Sequence, residues 1–257
     1  MWHGYVSIVE QQALPCDIFR MVLKAPEVVA LAKPGQFVHV RCNDDYDPLL
    51  RRPISINRLD KGTGQLTILY KVLGRGTAQL SRMRAGELID IMGPLGNGFT
   101  IQGEKPLLIG GGLGNAPLLC LAEAFPANTA TMIMGAQNEA GLIRRQDFDE
   151  ACCSIYTATN DGSSGYCGHA PVLAEELFAT QRFDMIYACG PEPMLLFVQK
   201  MAAKFAVPCQ VSLEEFMACG VGACLGCTCK AAAKDMPYKK VCTDGPVFWS
   251  EEVCLDD

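Results

Sequence analysis

The sequence has little positive charge and few histidines. Its 257 residues include 22 Lys and Arg against 28 Asp and Glu, a net charge of −6, so we expect no binding to nucleic acid. The histidines are scattered as His3, His39 and His169, which excludes a Ser–His–Asp or metal–histidine motif. The start at 1–4 lacks the basic and apolar segments of a signal peptide, and we expect none.

Long apolar runs are also missing. The most apolar stretch, 106–125, is interrupted by a glycine cluster and by Glu123, so we expect no membrane span. Cysteine, by contrast, is abundant, with 14 thiols. In a chain without a leader this number favours a reducing compartment, where ligand or buried-thiol roles are more common than disulfides. We therefore expect a cytoplasmic protein.

Four cysteines near the C-terminus have the spacing of a metal-ligand set. Cys219, Cys224, Cys227 and Cys242 follow the Cys-x4-Cys-x2-Cys…Cys pattern of plant-type 2Fe–2S proteins. The intervening glycines allow a tight turn and a close approach of N–H groups to sulfur. Zinc is the alternative, but zinc usually takes paired Cys-x2-Cys knuckles. We predict that these four cysteines hold a 2Fe–2S cluster and that Cys229 does not ligate it.

Hydrophobic patterning divides the chain into three parts. Short strands rich in β-branched residues predict a barrel in the first part, and an alternation of strands and helices predicts a doubly wound parallel sheet in the second. The last forty residues are expected to be irregular. We predict a fold of the β plus α/β class with an N-terminal β-barrel at 1–100, an α/β dinucleotide domain at 101–213 and a small iron–sulfur module at 214–257.

The expected elements can be stated by residue. The predicted strands are 5–9, 18–23, 36–40, 65–72, 106–109, 131–135, 154–159 and 185–190. The predicted helices are 77–83, 115–125, 171–178 and 192–205.

Two segments of the predicted barrel have the chemistry of a flavin site. Arg52 precedes the rigid Pro53, and Ser55 follows Ile54, so a guanidinium fork for phosphate and a hydroxyl for a ring nitrogen lie close together. An ordinary surface strand is the alternative. The segment 74–77 precedes a predicted helix, where N–H groups bind phosphate, or it is an ordinary capped turn.

The α/β part contains a glycine-rich turn between a strand and a helix. Gly110, Gly111, Gly112, Gly114 and Asn115 occupy the position at which a pyrophosphate binds, although the spacing is not a strict G-x-G-x-x-G. Ligands in such sheets lie beyond the carboxyl ends of the strands.

A second turn ends a later strand of the same sheet. It contains Cys189, Gly190 and Pro191. Cys189 is a candidate for the wall of a nicotinamide pocket, and a buried small residue is the alternative.

The order of these motifs resembles that of the ferredoxin-reductase-like flavoproteins. It resembles most closely the electron-transfer subunits of bacterial class 1B dihydroorotate dehydrogenases. The resemblance implies an FAD barrel, an NAD domain and a 2Fe–2S tail with the four cysteines above as ligands. The implied FAD contacts are Arg52, Pro53, Ile54, Ser55, Leu69, Tyr70, Lys71, Gly76 and Thr77. The wider family often has Tyr in place of Ile54, so no flavin-stacking ring is predicted there.

The same resemblance implies a partner and an electron path. The partner is an FMN-containing catalytic subunit that oxidises dihydroorotate, in a heterotetramer with two copies of each subunit. Electrons pass from FMN through the cluster and FAD to NAD⁺, in pyrimidine (UMP) biosynthesis. The chain is then an enzyme only together with this partner. We expect the partner to contact 214–245, with Leu225 near the surface.

Other functions stay open at this point. Glu139 suits a ribose hydroxyl and favours NAD, whereas Arg144 and Arg145 argue for NADP. One alternative is the small subunit of a ferredoxin:NADP oxidoreductase or of a sulfide dehydrogenase. Another is a non-enzymatic redox sensor or iron–sulfur protein.

Overall fold

The structure, a computed structural model, describes residues 1–43, 47–233 and 235–255, except for the side chain of Cys153. The last two positions of the predicted iron–sulfur module, 256–257, lie outside the described residues. The first part of the described chain forms a closed antiparallel barrel, and the second forms a mainly parallel sheet covered by helices. The predicted fold class is confirmed.

The barrel closes because its last strand pairs with its first. Its strands are β1 (Trp2–Leu14), β2 (Ile18–Lys24), β3 (Phe37–Val40), β4 (Arg52–Asp60), β5 (Gln65–Lys71) and β6 (Leu88–Leu95). The spatial order is β1-β2-β5-β4-β3-β6, and β6 returns to β1. Alternate residues such as Val38, Val40 and Ile56 are fully buried in the barrel interior, as the two-residue period of a strand requires.

Two helices and one strand of the barrel differ from the predicted pattern. Two short helices, α1 (Pro26–Leu31) and α2 (Arg75–Leu80), interrupt the strands. The helix expected at 77–83 therefore begins and ends earlier. Strand β6 was not predicted, because Asp90 and the pair Gly93-Pro94 interrupt its apolar alternation.

The second part has the predicted alternation of strands and helices. Its strands are β7 (Pro106–Gly111), β8 (Ala130–Ala136), β9 (Cys152–Thr159), β10 (Tyr166–Cys167), β11 (Met185–Cys189) and β12 (Cys209–Ser212). Its helices are α3 (Asn115–Ala122), α4 (Ala170–Leu177) and α5 (Glu192–Phe205). The strands β8, β7 and β11 are almost entirely buried, which explains their continuous apolar runs.

The expectation that the last forty residues are irregular is wrong. They contain a hairpin of β13 (Thr228–Lys230) and β14 (Tyr238–Lys240), and β15 (Val247–Trp249) joins the main sheet. The sheet order is β10-β9-β8-β7-β11-β12-β15, with β15 antiparallel to β12. Strands of three residues are too short to show a period in the sequence.

The cysteine-rich tail packs into the core rather than beside it. Cys227, Val241 and Cys242 are buried in the same hydrophobic cluster as Phe37 of the barrel and Phe248 of β15. The tail is therefore held between the barrel and the sheet. Among the helices that the structure describes, none is long and apolar enough to cross a membrane.

Candidate functional site

A cavity of about 660 Å³ lies where the barrel meets the sheet. Because the predicted flavin contacts line it, we call it the flavin cavity. Its barrel wall is formed by β4 and β5, which are hydrogen-bonded neighbours, so two segments distant in sequence are brought together. The predicted flavin contacts on this wall are Arg52, Pro53, Ile54, Ser55, Leu69, Tyr70, Lys71 and Thr77. The opposite wall includes Leu113, Ala116 and Pro117 from the turn after β7 and the start of α3.

Gly76 lies behind this wall and supports Arg52. A Cβ at Gly76 would come 3.0 Å from Nε and Nη2 of Arg52. Nη1 of Arg52 donates to the carbonyl oxygens of Leu50 (2.7 Å) and Arg51 (3.2 Å). The backbone thus fixes the guanidinium at the cavity edge, where a cation suits a diphosphate.

Tyr70 occupies the cavity wall as a neutral phenol. Its hydroxyl accepts a hydrogen bond of 2.7 Å from Nε2 of Gln11, and its ring stacks on Phe19 with centroids 5.8 Å apart. Burial raises the pKa of Tyr70 to about 12. The neighbouring Ile54 offers only an aliphatic surface to this cavity.

Two aromatic side chains of the cavity, Phe37 and Phe216, were not predicted from the sequence as site residues. Phe216 is 93% exposed yet lines the flavin cavity. It lies three residues before Cys219, and an isolated aromatic beside a ligand motif was the only signal available. The whole segment 213–218 borders the cavity, because β12 delivers it to the junction of barrel and sheet.

A second cavity, of about 680 Å³, lies at the carboxyl ends of β7 and β11. Because the predicted nucleotide-binding glycines line it, we call it the nucleotide cavity. Gly111, Gly112 and Gly114 line it together with Gly190 and Pro191. The two turns pack directly on each other, because a Cβ at Gly114 would lie 2.3 Å from the carbonyl oxygen of Cys189. Only glycine permits this approach.

The remaining predicted nucleotide residues lie behind the cavity wall. Asn115 is buried, and its Nδ2 donates to the carbonyl oxygens of Gly112 (2.8 Å) and Gly135 (3.3 Å). It therefore ties the glycine turn to the end of β8. A Cβ at Gly110 would collide with the Asn115 side chain, so Gly110 makes room for that side chain.

Cys189 is buried at the end of β11. Its side chain is 1% exposed, and the structure does not bring it to the cavity wall. Burial raises the pKa of this thiol, and the nearby Glu214 raises it further. Glu214, which sequence reasoning missed, borders both cavities, and burial raises its pKa as well.

The four predicted ligand cysteines share one hydrogen-bond network. Sγ of Cys219 accepts from the N–H groups of Val221 (3.5 Å) and Cys224 (3.4 Å). Sγ of Cys224 accepts from the N–H of Gly226 (3.5 Å), and Sγ of Cys242 accepts from the N–H of Gly222 (3.2 Å). Sγ of Cys227 accepts from the N–H of Cys242 (3.4 Å). Backbone donors to sulfur are what thiolate ligands require, and the donor set is made of thiols alone.

The thiols of this network differ in acidity. The Val221 N–H is the main cause that lowers the pKa of Cys219 to about 6, whereas burial chiefly raises the pKa of Cys242 to about 11. Within the described part of the chain, no three His, Cys, Asp or Glu side chains are spaced as a metal-binding group. The thiols therefore share a loop network rather than a closed coordination sphere.

Cys229 lies on the hairpin strand that follows this loop. It lies on β13, is half-buried and lines the nucleotide cavity. Burial raises its pKa to about 11. It packs against the hydrophobic cluster that contains Cys227 and Cys242, two residues after Cys227 in the sequence.

The flavin cavity is bordered on two sides by the other sites. Gly226 belongs to the segment 219–227, which we call the cysteine loop, and forms part of the wall of the flavin cavity. The segment 213–215 lines both the flavin and the nucleotide cavities. The flavin cavity thus lies between the nucleotide cavity and the cysteine loop.

This architecture defines a ferredoxin-reductase-like flavoprotein with an added iron–sulfur module. The profile of the oxidoreductase FAD-binding domain matches residues 6–99, and that of the iron–sulfur cluster binding domain of dihydroorotate dehydrogenase B matches residues 214–254. FAD and an iron–sulfur cluster are therefore the cofactors of these two regions, and the reductase-like fold adds NAD(P).

Curated relatives identify the family. The dihydroorotate dehydrogenase B (NAD(+)) electron transfer subunit of Caldanaerobacter subterraneus subsp. tengcongensis is 44% identical over 98% of each chain. That of Bacillus caldolyticus is 39% identical over 97% of this chain and 98% of its own. The chain belongs to the family of dihydroorotate dehydrogenase B electron transfer subunits.

Solved structures share the fold. An NADH-dependent reduced ferredoxin-NADP oxidoreductase superposes with a TM-score of 0.86 at 30% identity, over 98% of this chain and 90% of its own. The ferredoxin reductase of carbazole 1,9a-dioxygenase has a TM-score of 0.67 at 21% identity, over 80% of this chain and 67% of its own. The second likeness concerns the fold alone.

Proposed function

We propose that this chain is the electron-transfer subunit of an NAD-dependent dihydroorotate dehydrogenase in pyrimidine biosynthesis. It passes electrons from an FMN-containing catalytic subunit through a 2Fe–2S cluster and FAD to NAD⁺. The observation that carries the proposal is the position of the flavin cavity, whose wall contains Gly226 of the cysteine loop and the segment 213–215 of the nucleotide cavity. When bound, FAD supplies the conversion between a hydride and single electrons.

Each of the three proposed modules has its own residues. In 1–100, the guanidinium of Arg52 binds the FAD diphosphate, and the other flavin contacts are Pro53, Ile54, Ser55, Leu69, Tyr70, Lys71, Gly76 and Thr77. In 101–213, the glycine turns after β7 and β11 bind NAD. In 214–257, Cys219, Cys224, Cys227 and Cys242 ligate the cluster.

Two of the charged residues beyond β8, Arg144 and Glu139, support NAD over NADP. Arg144 donates from Nε and Nη2 to the Asp147 carboxylate at 2.7 and 2.6 Å, so its charge is already paired. Glu139 follows the end of β8 and is exposed. A carboxylate at this place binds a ribose hydroxyl and repels a 2′-phosphate.

The surface around the cysteine loop supports a partner. Val221 and Leu225 are exposed apolar residues inside this loop, with Leu225 62% exposed. Exposed apolar groups beside a one-electron site suit a docking protein. We propose a catalytic subunit docked there, two copies of each subunit in the complex, and no dihydroorotate oxidation without it. All cysteines whose side chains the structure describes are free thiols, which supports a cytoplasmic location.

Reconstitution tests this function. The chain alone should reduce ferricyanide with NADH but should not oxidise dihydroorotate, and adding the catalytic subunit should produce NAD⁺-dependent orotate formation. Leu225→Glu should weaken the complex and spare ferricyanide reduction, whereas Leu31→Glu, on the exposed side of α1, should leave both unchanged. Orotate formation by the chain alone would refute the proposal.

A second candidate is the small subunit of a ferredoxin:NADP oxidoreductase. It is favoured by the TM-score of 0.86 to the NADH-dependent reduced ferredoxin-NADP oxidoreductase. The identities of 39% and 44% to curated dihydroorotate dehydrogenase subunits favour the first function. Mass spectrometry of the protein that co-purifies from the native host separates the two.

A further inference from the structure

His39 lies on the outer face of the barrel, under the iron–sulfur module. It belongs to β3, where Val38 and Val40 point into the barrel interior. Phe37, two residues away, belongs instead to the hydrophobic cluster that contains Cys227. Phe37 also lines the flavin cavity. The rings of Phe37 and His39 meet edge to face with centroids 6.5 Å apart. His39 therefore lies on the face that the module covers.

The imidazole of His39 is buried without a hydrogen-bond partner. The residue is 0% exposed, and among the described residues neither Nδ1 nor Nε2 finds a partner. Burial is the main cause that lowers the pKa of His39 to about 4, and the charges of Arg51 and Arg52 lower it further. The ring is thus a neutral imidazole with one donor and one acceptor. Leaving a buried donor unpaired is unfavourable.

A backbone carbonyl near the ring does not satisfy it. The Arg51 carbonyl approaches His39 and raises its pKa, against the larger lowering effects of burial and of the Arg51 and Arg52 charges. It lies outside hydrogen-bonding geometry, since both ring nitrogens stay unpaired. The donor of His39 is therefore available to a further acceptor.

The ring faces the first glycine of the cysteine loop. A Cβ at Gly220 would lie 2.6 Å from Nδ1 of His39 and 3.1 Å from Cε1. The imidazole thus fills the space that a side chain would occupy beside Cys219. Gly220 also has a φ of +69°, so both the backbone and the packing require glycine here. The barrel and the loop meet at this contact without an intervening side chain.

We propose that His39 is a positioning residue that donates its ring N–H to a sulfur of the 2Fe–2S centre. This inference rests on the proposed function, because it requires the cluster at Cys219, Cys224, Cys227 and Cys242. Gly220, which the ring faces, directly follows the predicted ligand Cys219, so we assign sulfur as the acceptor. A donor to sulfur stabilises the extra negative charge of the reduced state and raises the reduction potential. His39 thereby tunes the electron affinity of the cluster from the outer face of the barrel.

Redox titration of the purified chain tests the donor. His39→Phe keeps a planar ring and removes the N–H, and the cluster potential should fall by a tenfold change in the one-electron equilibrium, about 59 mV. Asn places an amide N–H near the position of Nδ1, and Gln places one near Nε2. One of His39→Asn and His39→Gln should restore most of the potential. His169→Gln, at an exposed histidine before α4, should leave it unchanged.

A spectroscopic measurement on the unmodified chain does not depend on the folding of a variant. Pulsed EPR of the reduced cluster should show a weakly coupled nitrogen whose signal changes when the histidines are labelled with ¹⁵N. The signal should persist in His169→Gln and disappear in His39→Phe. If His39→Phe does not fold, the labelled wild-type spectrum decides alone.

Three results would overturn the inference. They are a wild-type potential in His39→Phe, a lowered potential that neither Asn nor Gln restores, and no histidine nitrogen coupling in the labelled protein. Each of these leaves the proposed function intact if the chain binds iron and reduces ferricyanide. A wild-type chain without iron or sulfide would refute the proposed function and this inference together.

Discussion

The barrel and the cysteine loop at 219–227 are ordered by different forces. The barrel is closed by backbone ladders between neighbouring strands and filled by fully buried side chains such as Met21, Leu23 and Ile68. The loop lies between β12 and β13, and its N–H groups are directed at thiols. The barrel therefore has a core of its own, whereas the loop depends on sulfur.

The difference shows how each cofactor site is built. The flavin wall consists of strands whose geometry is fixed before any ligand binds, and such sites are more precise than loop sites. The loop has exposed apolar residues, Val221 and Leu225, and little buried apolar surface of its own. Metal ligation contributes folding free energy directly in such modules. Loss of the flavin should leave the barrel intact, and loss of iron should disorder the loop.

The largest expected effect is the loss of the cluster when one ligand cysteine is removed. Cys227→Ser should abolish the cluster, because Cys227 is the buried thiol that accepts the Cys242 N–H at 3.4 Å. Iron and acid-labile sulfide should fall to near zero, while FAD content and far-UV circular dichroism of the barrel should persist.

Cys229→Ser is the matched control. It changes the same atoms two residues away, on a strand that faces the nucleotide cavity. Iron and sulfide should stay at the wild-type level. Loss of iron in Cys229→Ser with retention in Cys227→Ser would reverse the ligand assignment.

The next effect concerns the barrel. Arg52→Ala removes a charge-assisted contact worth about 1.5–3 kcal/mol, which weakens FAD binding by roughly 10- to 150-fold. The cluster should be unaffected. Fluorescence titration of the flavin-free protein with FAD measures the change.

Arg58→Ala is the control for charge removal. Arg58 is partly exposed on β4 and pairs with Glu123 at 2.7 Å, and it does not line the flavin cavity. Its FAD affinity should match the wild type. Equal affinities of Arg52→Ala and wild type would remove the role given to Arg52.

A smaller effect on iron retention is expected from the contact between the barrel and the cysteine loop. Gly220→Ala forces a Cβ to 2.6 Å from His39 and strains a φ of +69°, which costs about 1–2 kcal/mol for the backbone alone. We expect faster loss of iron to a chelator, with thermal unfolding of the barrel little changed.

Gly226→Ala is the matched glycine change in the same loop. Its Cβ would meet only Sγ of Cys224, at an ordinary 3.6 Å. Iron should be retained with wild-type kinetics. Equal chelation rates for both variants would show that the Gly220 contact does not hold the loop.

Much of this architecture follows from local sequence. The strands at 18–23 and 65–72 and the helix at 192–205 are predicted within a residue or so, since buried strands and an amphipathic helix have clear periods. The cysteine spacing indicated the cluster, and the structure brings the four thiols into one network. On β4, Arg52 and Ser55 were indicated by their local chemistry, whereas the flavin contacts on β5 came from the family resemblance.

The rest depended on tertiary contacts that no local pattern contains. Three-residue strands such as β15 are stable only because β12 is beside them. Glu214 and Phe216 acquire their positions from the junction of barrel and sheet, and His39 from a glycine almost two hundred residues away. Sequence periodicity reports burial along one element, and not which element covers it.

The smallest expected effect is a change in the stability of the barrel when the Tyr70 hydroxyl is removed. Tyr70→Phe removes the hydrogen bond from Gln11 and should lower the free energy of unfolding by about 1 kcal/mol at pH 7. Gln11 keeps its 3.0 Å bond to the Leu80 carbonyl, which limits the loss. FAD affinity should change less than threefold, since the hydroxyl already pairs with Gln11. Urea unfolding and FAD titration measure both quantities.

The pH dependence of this same pair of proteins tests the environment of Tyr70. Burial raises the pKa of Tyr70 to about 12 in the folded state, against about 10 in the unfolded chain. The unfolded state therefore releases its proton first, and the stabilisation by Tyr70 is complete below pH 10 and is lost as the pH rises towards 12. The stability of the wild type relative to Tyr70→Phe should be constant up to about pH 10 and should then decrease. A difference that stays constant through this range would mean that the phenol is solvated, and that the barrel wall is as open to water as the cysteine loop.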